Sequence, residues 1–321
     1  MCHFSRGKRG IHMTTAMSSK GAEPRKKKLG KMALQEERTA YLFILLPCLG
    51  FAIFTFGALI FSAVASGTDW TGLNDMQFNN FQNYIDIFTD EKFWISLLNT
   101  VIYLIGIPIG MILGLLLAMG MNRKVMGVRV LRTMYYIPVI SSLVAISILW
   151  SWVFNYDYGP LNTLIKLLTG MQGPAWLSDE IMVKVAMIIF MTWKGLGGTI
   201  VLYLAGLQNV PRVYYEAAEI DGANAWHKFK NITLPLISPV TFFILLTSLI
   251  GGMQVFVEVQ VMVPQGGTNY SAATVVYYLY EKSFKGGAMG YGSAVAWMLA
   301  IFILILTLVN FKLQKRWVTM D

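Results

Sequence analysis

Charge and cysteine are what this sequence has least of. Of 321 residues only 13% are charged, while 55% are hydrophobic. An ordinary soluble domain carries roughly twice that charge fraction, so the bulk of this chain is not solvated by water. Two cysteines, Cys2 and Cys48, show no partner pattern, which excludes a disulfide framework and a thiolate metal site. The three histidines, His3, His12 and His227, all fall outside the long apolar runs. No metal or hydrolytic constellation can be assembled from them, and no catalytic residue is assigned. A Gly-x-x-x-x-Gly-Lys-Ser/Thr phosphate loop is also missing. The chain therefore reads as no enzyme in its own right.

Long apolar runs are what it has instead. Crossing a hydrocarbon core takes about 20 apolar residues as helix. Six segments qualify: 41–64, 95–119, 130–154, 181–207, 239–263 and 292–311. Runs this long and unbroken exclude strands. The expected fold class is all-α, a polytopic membrane protein with six transmembrane helices. The expected organisation is a basic, disordered tail over 1–40, a first transmembrane helix over 41–64, and an external loop over 65–94. A core over 95–311 follows, with five helices and a polar loop at 208–238, and then a C-terminus over 312–321. No apolar core precedes Tyr41, and the first run is too long for a signal-peptide core, so a retained helix is expected. Met13 and Met17 are alternative starts, in which case the first dozen residues are a gene-calling artefact.

The net charge of +9 is distributed as topology requires. Arg25, Lys26, Lys27, Lys28 and Lys31 precede the first run; Arg123, Lys124, Arg129 and Arg132 join the second to the third; Lys312, Lys315 and Arg316 follow the last. The loop 66–93 is acidic, with Asp69, Asp75, Asp86, Asp90 and Glu91. Positive loops stay cytoplasmic, which puts both termini and the loop 216–239 inside. The basic tail reads as a topological anchor; attraction to anionic lipid, at ~1 kcal/mol per basic residue near the surface, is the other reading.

Gly106, Gly110 and Gly114 recur every four residues on one helical face and allow close backbone approach. They read as a helix-packing seam, within this fold or with a second subunit, and Pro108 between them is a candidate kink. Leu161, Leu164, Ile165 and Leu168 form an amphipathic piece at the outer interface. Gly266 and Gly267 mark a turn in the last external loop. Tyr277, Tyr278 and Tyr280 nearby read as interface anchors.

The loop 216–239 is the most informative stretch. Pro211 suits a first helical turn. From there Val213, Ala217 and Ile220 make a small apolar face, beside a charged one of Arg212, Glu216 and Glu219. Gly222 suits a helix C-terminus that needs a left-handed residue. A second short helix places Trp226, Phe229 and Ile232 on one side, flanked by Lys228 and Lys230, and Pro235 and Pro239 stop it. The low Ala-Ala surface and the acidic edge of Glu216, Glu219 and Asp221 suit docking into a groove that offers arginine or lysine. Periodicity alone leaves a connector along the membrane surface equally open.

The spacing Glu216-Ala217-Ala218, Gly222, Ile232, Leu234-Pro235 resembles the cytoplasmic signature loop of permease subunits of binding-protein-dependent ABC importers. The fuller stretch from Tyr215 to Ala223 resembles the carbohydrate-uptake branch, with its maltose and glycerol-3-phosphate permeases. Asn83-Tyr84, Asn99-Thr100, Tyr136-Ile137-Pro138, Gly159 to Asn162, Trp193 and Ala205-Gly206-Leu207-Gln208 fall as that branch has them, and the resemblance covers about 80–313. It implies a type I importer permease fold in the cytoplasmic membrane of a prokaryote. It also implies a second homologous permease, two cytoplasmic ATPase subunits that hold the ATP and Mg, and an external solute-binding protein. No cofactor is implied on this chain. The Glu216 to Gly222 helix would dock into an ATPase cleft, with Glu216 paired to a basic residue and Gly222 permitting the bend. Where a Thr-x-Gly-Gly-Pro turn is usual, this sequence has Val263-Pro264-Gln265-Gly266-Gly267-Thr268.

Charge inside a span is a functional candidate by default, at ~2.5–3.5 kcal/mol on insertion scales. Lys194 and Glu258 qualify. Helical spacing puts Gly251, Gln254 and Glu258 on one face, and Trp193 adjoins Lys194. Three readings stand: a polar wall of the translocation path for a sugar, a Lys194–Glu258 pair that closes the bundle, or Glu258 sitting near the external interface. The rival functions are the same machinery for another solute (glycerol phosphate, amino acid or polyamine), an ion-coupled secondary carrier, and a docking scaffold.

Overall fold

The computed structural model describes residues 31–122 and 127–318. The tail 1–30 with its alternative starts, and Arg123 and Lys124, lie outside them. Among the described residues every regular element is helical, and the one β-bridge pairs Thr68 with Phe78. The chain divides between Ala58 and Leu59 into two units. In the first, α1 (Lys31–Gly50) continues into a π-helical segment (Phe51–Gly57). Its large apolar side chains are exposed on every face, Phe54 at 81%, as suits a helix bathed in lipid. α2 (Ala58–Ser66) carries the chain across the boundary.

In the second unit α3 (Gln82–Thr89) and α4 (Glu91–Tyr103) meet at Asp90, whose carboxylate caps α4 by accepting from the Lys92 N–H at 2.9 Å. α5 (Gly106–Met121) follows a tight turn at Leu104 and Ile105. Pro108 explains the turn, because it has no N–H to offer the Leu104 carbonyl. The N–H groups of Leu104, Ile105 and Ile107 donate to carbonyls three residues back instead. Together α4 and α5 still make one candidate span, Glu91–Met121.

The run 130–154 is not one straight span. α6 (Val128–Ile140) and α7 (Leu143–Val153) are bent by 103°. Pro138 leaves the Met134 carbonyl without its helical donor, and Ser141 and Ser142 take extended ψ values of 152° and 126°. α8 (Pro160–Thr169) is the short amphipathic helix, opened by Pro160 and ended at Gly170 with φ +73°. α9 (Met182–Asn209) runs unbroken for 28 residues.

After α9 come α10 (Arg212–Ile220), α11 (Ala225–Lys228), a π segment (Phe229–Thr233) and α12 (Leu234–Leu236). Pro235 sits inside this run and does not stop it. The chain bends by 61° at Ile237 into α13 (Ser238–Gly252). There Pro239 supplies no N–H, and the Ser238 hydroxyl donates to the Pro235 carbonyl at 2.6 Å. α13 ends at Gly252, eleven residues short of the expected end of its run at 263. Met253 to Phe256 are non-helical, and α14 (Val257–Met262) is a separate half-helix packed on α7. α15 (Val275–Tyr280) leads through a π turn (Glu281–Lys285) to α16 (Met289–Gln314). Among the described residues four helices are long and apolar enough to cross a membrane, and six spans result if each bent pair counts as one.

The segment 263–275 is pulled into the protein. Asn99 donates from Nδ2 to the carbonyls of Tyr270 and Ala273, both at 3.0 Å, and Tyr103 donates to Ala272 O at 3.0 Å. Thr100 Oγ1 accepts from the Val275 N–H at 3.1 Å. Tyr277 and Tyr278 are consequently fully buried in the core with Phe93, Phe154 and Phe190, and are not interface anchors. Gly266 and Gly267, at φ +77° and +81°, make the turn without the proline.

Candidate functional site

The loop beyond α9 is a bent helical knob. The turn at the end of α10 is a Schellman motif: the Ala223 N–H donates to Ala218 O at 2.8 Å and the Gly222 N–H to Glu219 O at 3.1 Å. It requires a left-handed residue, and Gly222 has φ +72°. Asn224 then caps α11 by accepting from the His227 N–H at 2.9 Å. Two side-chain links brace the knob. Lys228 Nζ donates to Glu219 Oε1 at 2.8 Å, and the hydroxyls of Tyr215 and Thr233 share a hydrogen bond of 2.8 Å. Ile232 and Tyr215 pack on the core cluster around Leu207 and Ile237, while Leu234 is exposed and Pro235 half-buried.

No residue of α10 is buried. Val213, Ile220 and Trp226 are 62%, 87% and 66% exposed, an apolar surface beside the carboxylates of Glu216 and Asp221. Glu216 has no ion-pair partner among the described residues. Ala217 and Ala218 keep the α10 surface low. This is a braced, apolar-and-acidic protrusion that none of the described residues covers.

The three spaced glycines meet α9. A methyl group on Gly106 would stand 2.9 Å from Thr192 Oγ1, and one on Gly114 2.5 Å from Thr199 Cγ2. On Gly110 it would make an ordinary contact of 3.7 Å with Thr192. Where α5, α9 and α13 do not close, a cavity of about 240 Å³ remains, with Gly110, Met191, Lys194, Thr199, Ser248 and Gly251 in its wall.

The four candidate path residues separate. Lys194 lines this cavity, with about a third of its side chain exposed. Its ammonium donates to Glu258 Oε1 at 2.5 Å. Glu258 stands on α14, with 4% of its side chain exposed, and does not line the cavity. The break after Gly252 means that Gly251, Gln254 and Glu258 share no helical face: Gln254 is exposed in the break, Glu258 buried beyond it. The cause is the Gly251-Gly252 pair, with Gly252 so close to the α4–α5 turn that a methyl group there would stand 2.7 Å from Leu104 Cδ2. Trp193 packs its ring 5.2 Å from that of Trp150, whose indole N–H is buried without an acceptor among the described residues. That ring pair lies behind the cavity wall and was not foreseeable from spacing.

Sequence reasoning also missed a polar cluster at the opposite end of the second unit. Lys282 Nζ donates to Asp90 Oδ2 at 2.9 Å and lies over the rings of Tyr278 and Tyr291, at 5.3 and 5.4 Å. Tyr278 donates to the same carboxylate oxygen at 2.7 Å. Burial pushes the Asp90 carboxyl up, but the hydrogen bonds from Lys282 and Tyr278, the Lys282 charge and the Lys92 N–H outweigh it. They hold it below the usual 3.8. Burial, with the bonds to Tyr291 and Asp90, pushes the Tyr278 hydroxyl well up, so it remains a donor. The only advance signal was an acidic residue just before an apolar run.

Comparison with known proteins agrees with this architecture. The model of the family described as "Binding-protein-dependent transport system inner membrane component" matches residues 106–318. The chain is 34% identical to the lactose transport system permease protein of Rhizobium radiobacter, over 75% of this chain and 82% of that one. It is 33% identical to the arabinooligosaccharides transport system permease protein of Bacillus subtilis, over 85% and 84%. It is 32% identical to the trehalose/maltose transport system permease protein of Thermococcus litoralis, over 91% and 95%. Among solved structures, a chain of a bacterial ABC transporter involved in the import of the acidic polysaccharide alginate superposes with a TM-score of 0.77. That match is 22% identical and covers 88% of this chain and 97% of the other, which establishes a shared fold. This chain therefore belongs to the inner membrane components of binding-protein-dependent transport systems, the permeases of ABC importers.

Proposed function

We propose that this permease imports a sugar or oligosaccharide, with ATP hydrolysed on a separate chain. The observation that carries the coupling half is the braced knob, which holds the signature spacing from Glu216 to Pro235 and whose α10 has no buried residue. One of two ATPase subunits, which would hold the ATP and Mg, would receive α10 in a basic cleft, with Glu216 as the charged contact. Closure of those subunits would then move α9 and α13 through the knob that joins them. The distribution of basic residues supports a cytoplasmic knob and cytoplasmic termini.

The sugar half rests on the relatives, whose names give lactose, arabinooligosaccharides and trehalose or maltose. An external solute-binding protein and a second permease complete the assembly in this reading. The cavity between α5, α9 and α13 is our candidate for this chain's share of the path, with Lys194 in its wall, Glu258 and Trp193 behind it and Gln254 at its broken end.

Glu216→Lys tests the coupling role. The expected outcome is a normally inserted protein whose complex no longer transports on ATP, with residual ATPase activity no longer stimulated by substrate. Undiminished uptake by that variant would remove α10 from the coupling pathway.

A further inference from the structure

The Lys194–Glu258 pair is asymmetric with respect to the cavity. Lys194 is in the wall, and among the described residues lining that cavity it alone carries a charge. Glu258 is outside the lining, almost wholly buried on α14, and aimed at the ammonium from behind at 2.5 Å. Such a pair presents donors without presenting net charge. An ammonium has three N–H donors and no acceptor; one is used on Glu258, and the remainder are available to the cavity side. The rest of the wall is glycine, methionine, aliphatic side chains and the hydroxyls of Thr192, Thr199, Ser248 and Tyr103. None of these can compensate a second charge.

We infer that Glu258 is a specificity-determining positioning residue: it fixes Lys194 and cancels its charge, so the cavity admits uncharged polyhydroxyl solutes and disfavours acidic sugars. This deepens the path reading above and rests on it. A hydroxyl oxygen can accept from Lys194 while the Glu258 bond stays intact. A solute carboxylate would have to compete with Glu258 for the same ammonium, and a buried carboxylate stripped of its partner is costly. Glu258→Gln keeps an oxygen for Lys194 to donate to but removes the cancelling charge, leaving the wall positive.

Charge-selective thiol labelling in the assembled transporter reads this directly. Cys2 and Cys48 are replaced by serine and Ser248→Cys places a thiol in the cavity wall. The rates of anionic sulfonatoethyl and cationic trimethylammonioethyl methanethiosulfonates are then compared. With both partners present, the anionic-to-cationic ratio should match that of Lys194→Met/Glu258→Gln within about threefold. Glu258→Gln alone should raise it about tenfold or more, and Lys194→Met should lower it, as a single focused charge does in a low-dielectric cleft. Glu258→Gln should also make uronic-acid oligosaccharides inhibit uptake where the native transporter ignores them.

An unchanged ratio in Glu258→Gln overturns the proposal, as does a native ratio already as anion-favouring as that variant. If Glu258→Gln does not accumulate, the native and doubly substituted proteins still decide, because a native ratio tenfold above the double variant refutes cancellation. The path reading is judged separately: complete labelling of Ser248→Cys should block ATP-driven uptake. Full uptake after labelling rejects the path while leaving the charge result standing.

Discussion

Asp90 holds three separate contacts in one side chain: the N-terminal cap of α4, the ion pair with Lys282 and the hydroxyl of Tyr278. Asp90→Asn keeps the cap, since asparagine caps as well as aspartate, and removes the charge. The expected loss is about 1.5 kcal/mol, the lower end of the range for hydrogen bonds to charged groups, because both partners are partly exposed. The sign with pH follows from a folded value below 3.8. Asp90's contribution is complete above 3.8 and disappears as pH falls through the folded value. Thermal unfolding in detergent from about pH 6 to about pH 3 should show an acid-side loss that is smaller in Asp90→Asn. Gly114 gives a second test at this scale. Gly114→Val forces a side chain into Thr199 and should cost about 1–3 kcal/mol, whereas Gly110→Ala meets only an ordinary contact and should cost well under that. A Gly114→Val protein as stable as the native one would deny the close α5–α9 approach.

At the scale of elements, breaks matter more than helices. The apolar runs were legible because composition alone decides that a segment is lipid-solvated. The knob was legible because Gly222, Pro211 and the Ala-Ala pair each have a local reason to be where they are. What was not legible is where the runs break. Gly251-Gly252 reads equally well as a packing spot or a helix end, and only the approach of Leu104 decides it. Tyr277 and Tyr278 resemble interface residues until Asn99 is seen tying the backbone beside them inward. Asn99→Ala should therefore cost about 1–2 kcal/mol, since it removes one donor from each of two buried carbonyls, of which Tyr270 O keeps the Ala273 N–H. It should also expose 263–275 to proteolysis in the folded protein; unchanged protection would mean that the loop is held by other contacts. Gly222→Ala meets no neighbour within 4 Å, so its penalty is conformational. About 1 kcal/mol is expected for a left-handed non-glycine residue. The β-branched Gly222→Val should cost more and distort the end of α10, weakening coupling without loss of insertion.

For the whole molecule, the knob and the cavity are connected by continuous helix. α9 runs from Lys194 in the cavity wall to within three residues of α10, and α13 returns from the knob to Ser248 and Gly251 in the same wall. In the proposed reading a pull on α10 would be transmitted to both sides of the cavity, which is what coupling a motor to a path requires. In the proposed reading the Glu216–Pro235 spacing marks the handle, and the cargo would depend on the wall, whose residues no spacing rule brings together. Reconstitution of the chain with its second permease and ATPase subunits in proteoliposomes tests this most directly. Sugar uptake should require both ATP and an added external binding protein, and should fail in Glu216→Lys. Uptake driven by a proton or sodium gradient without ATP would contradict the account.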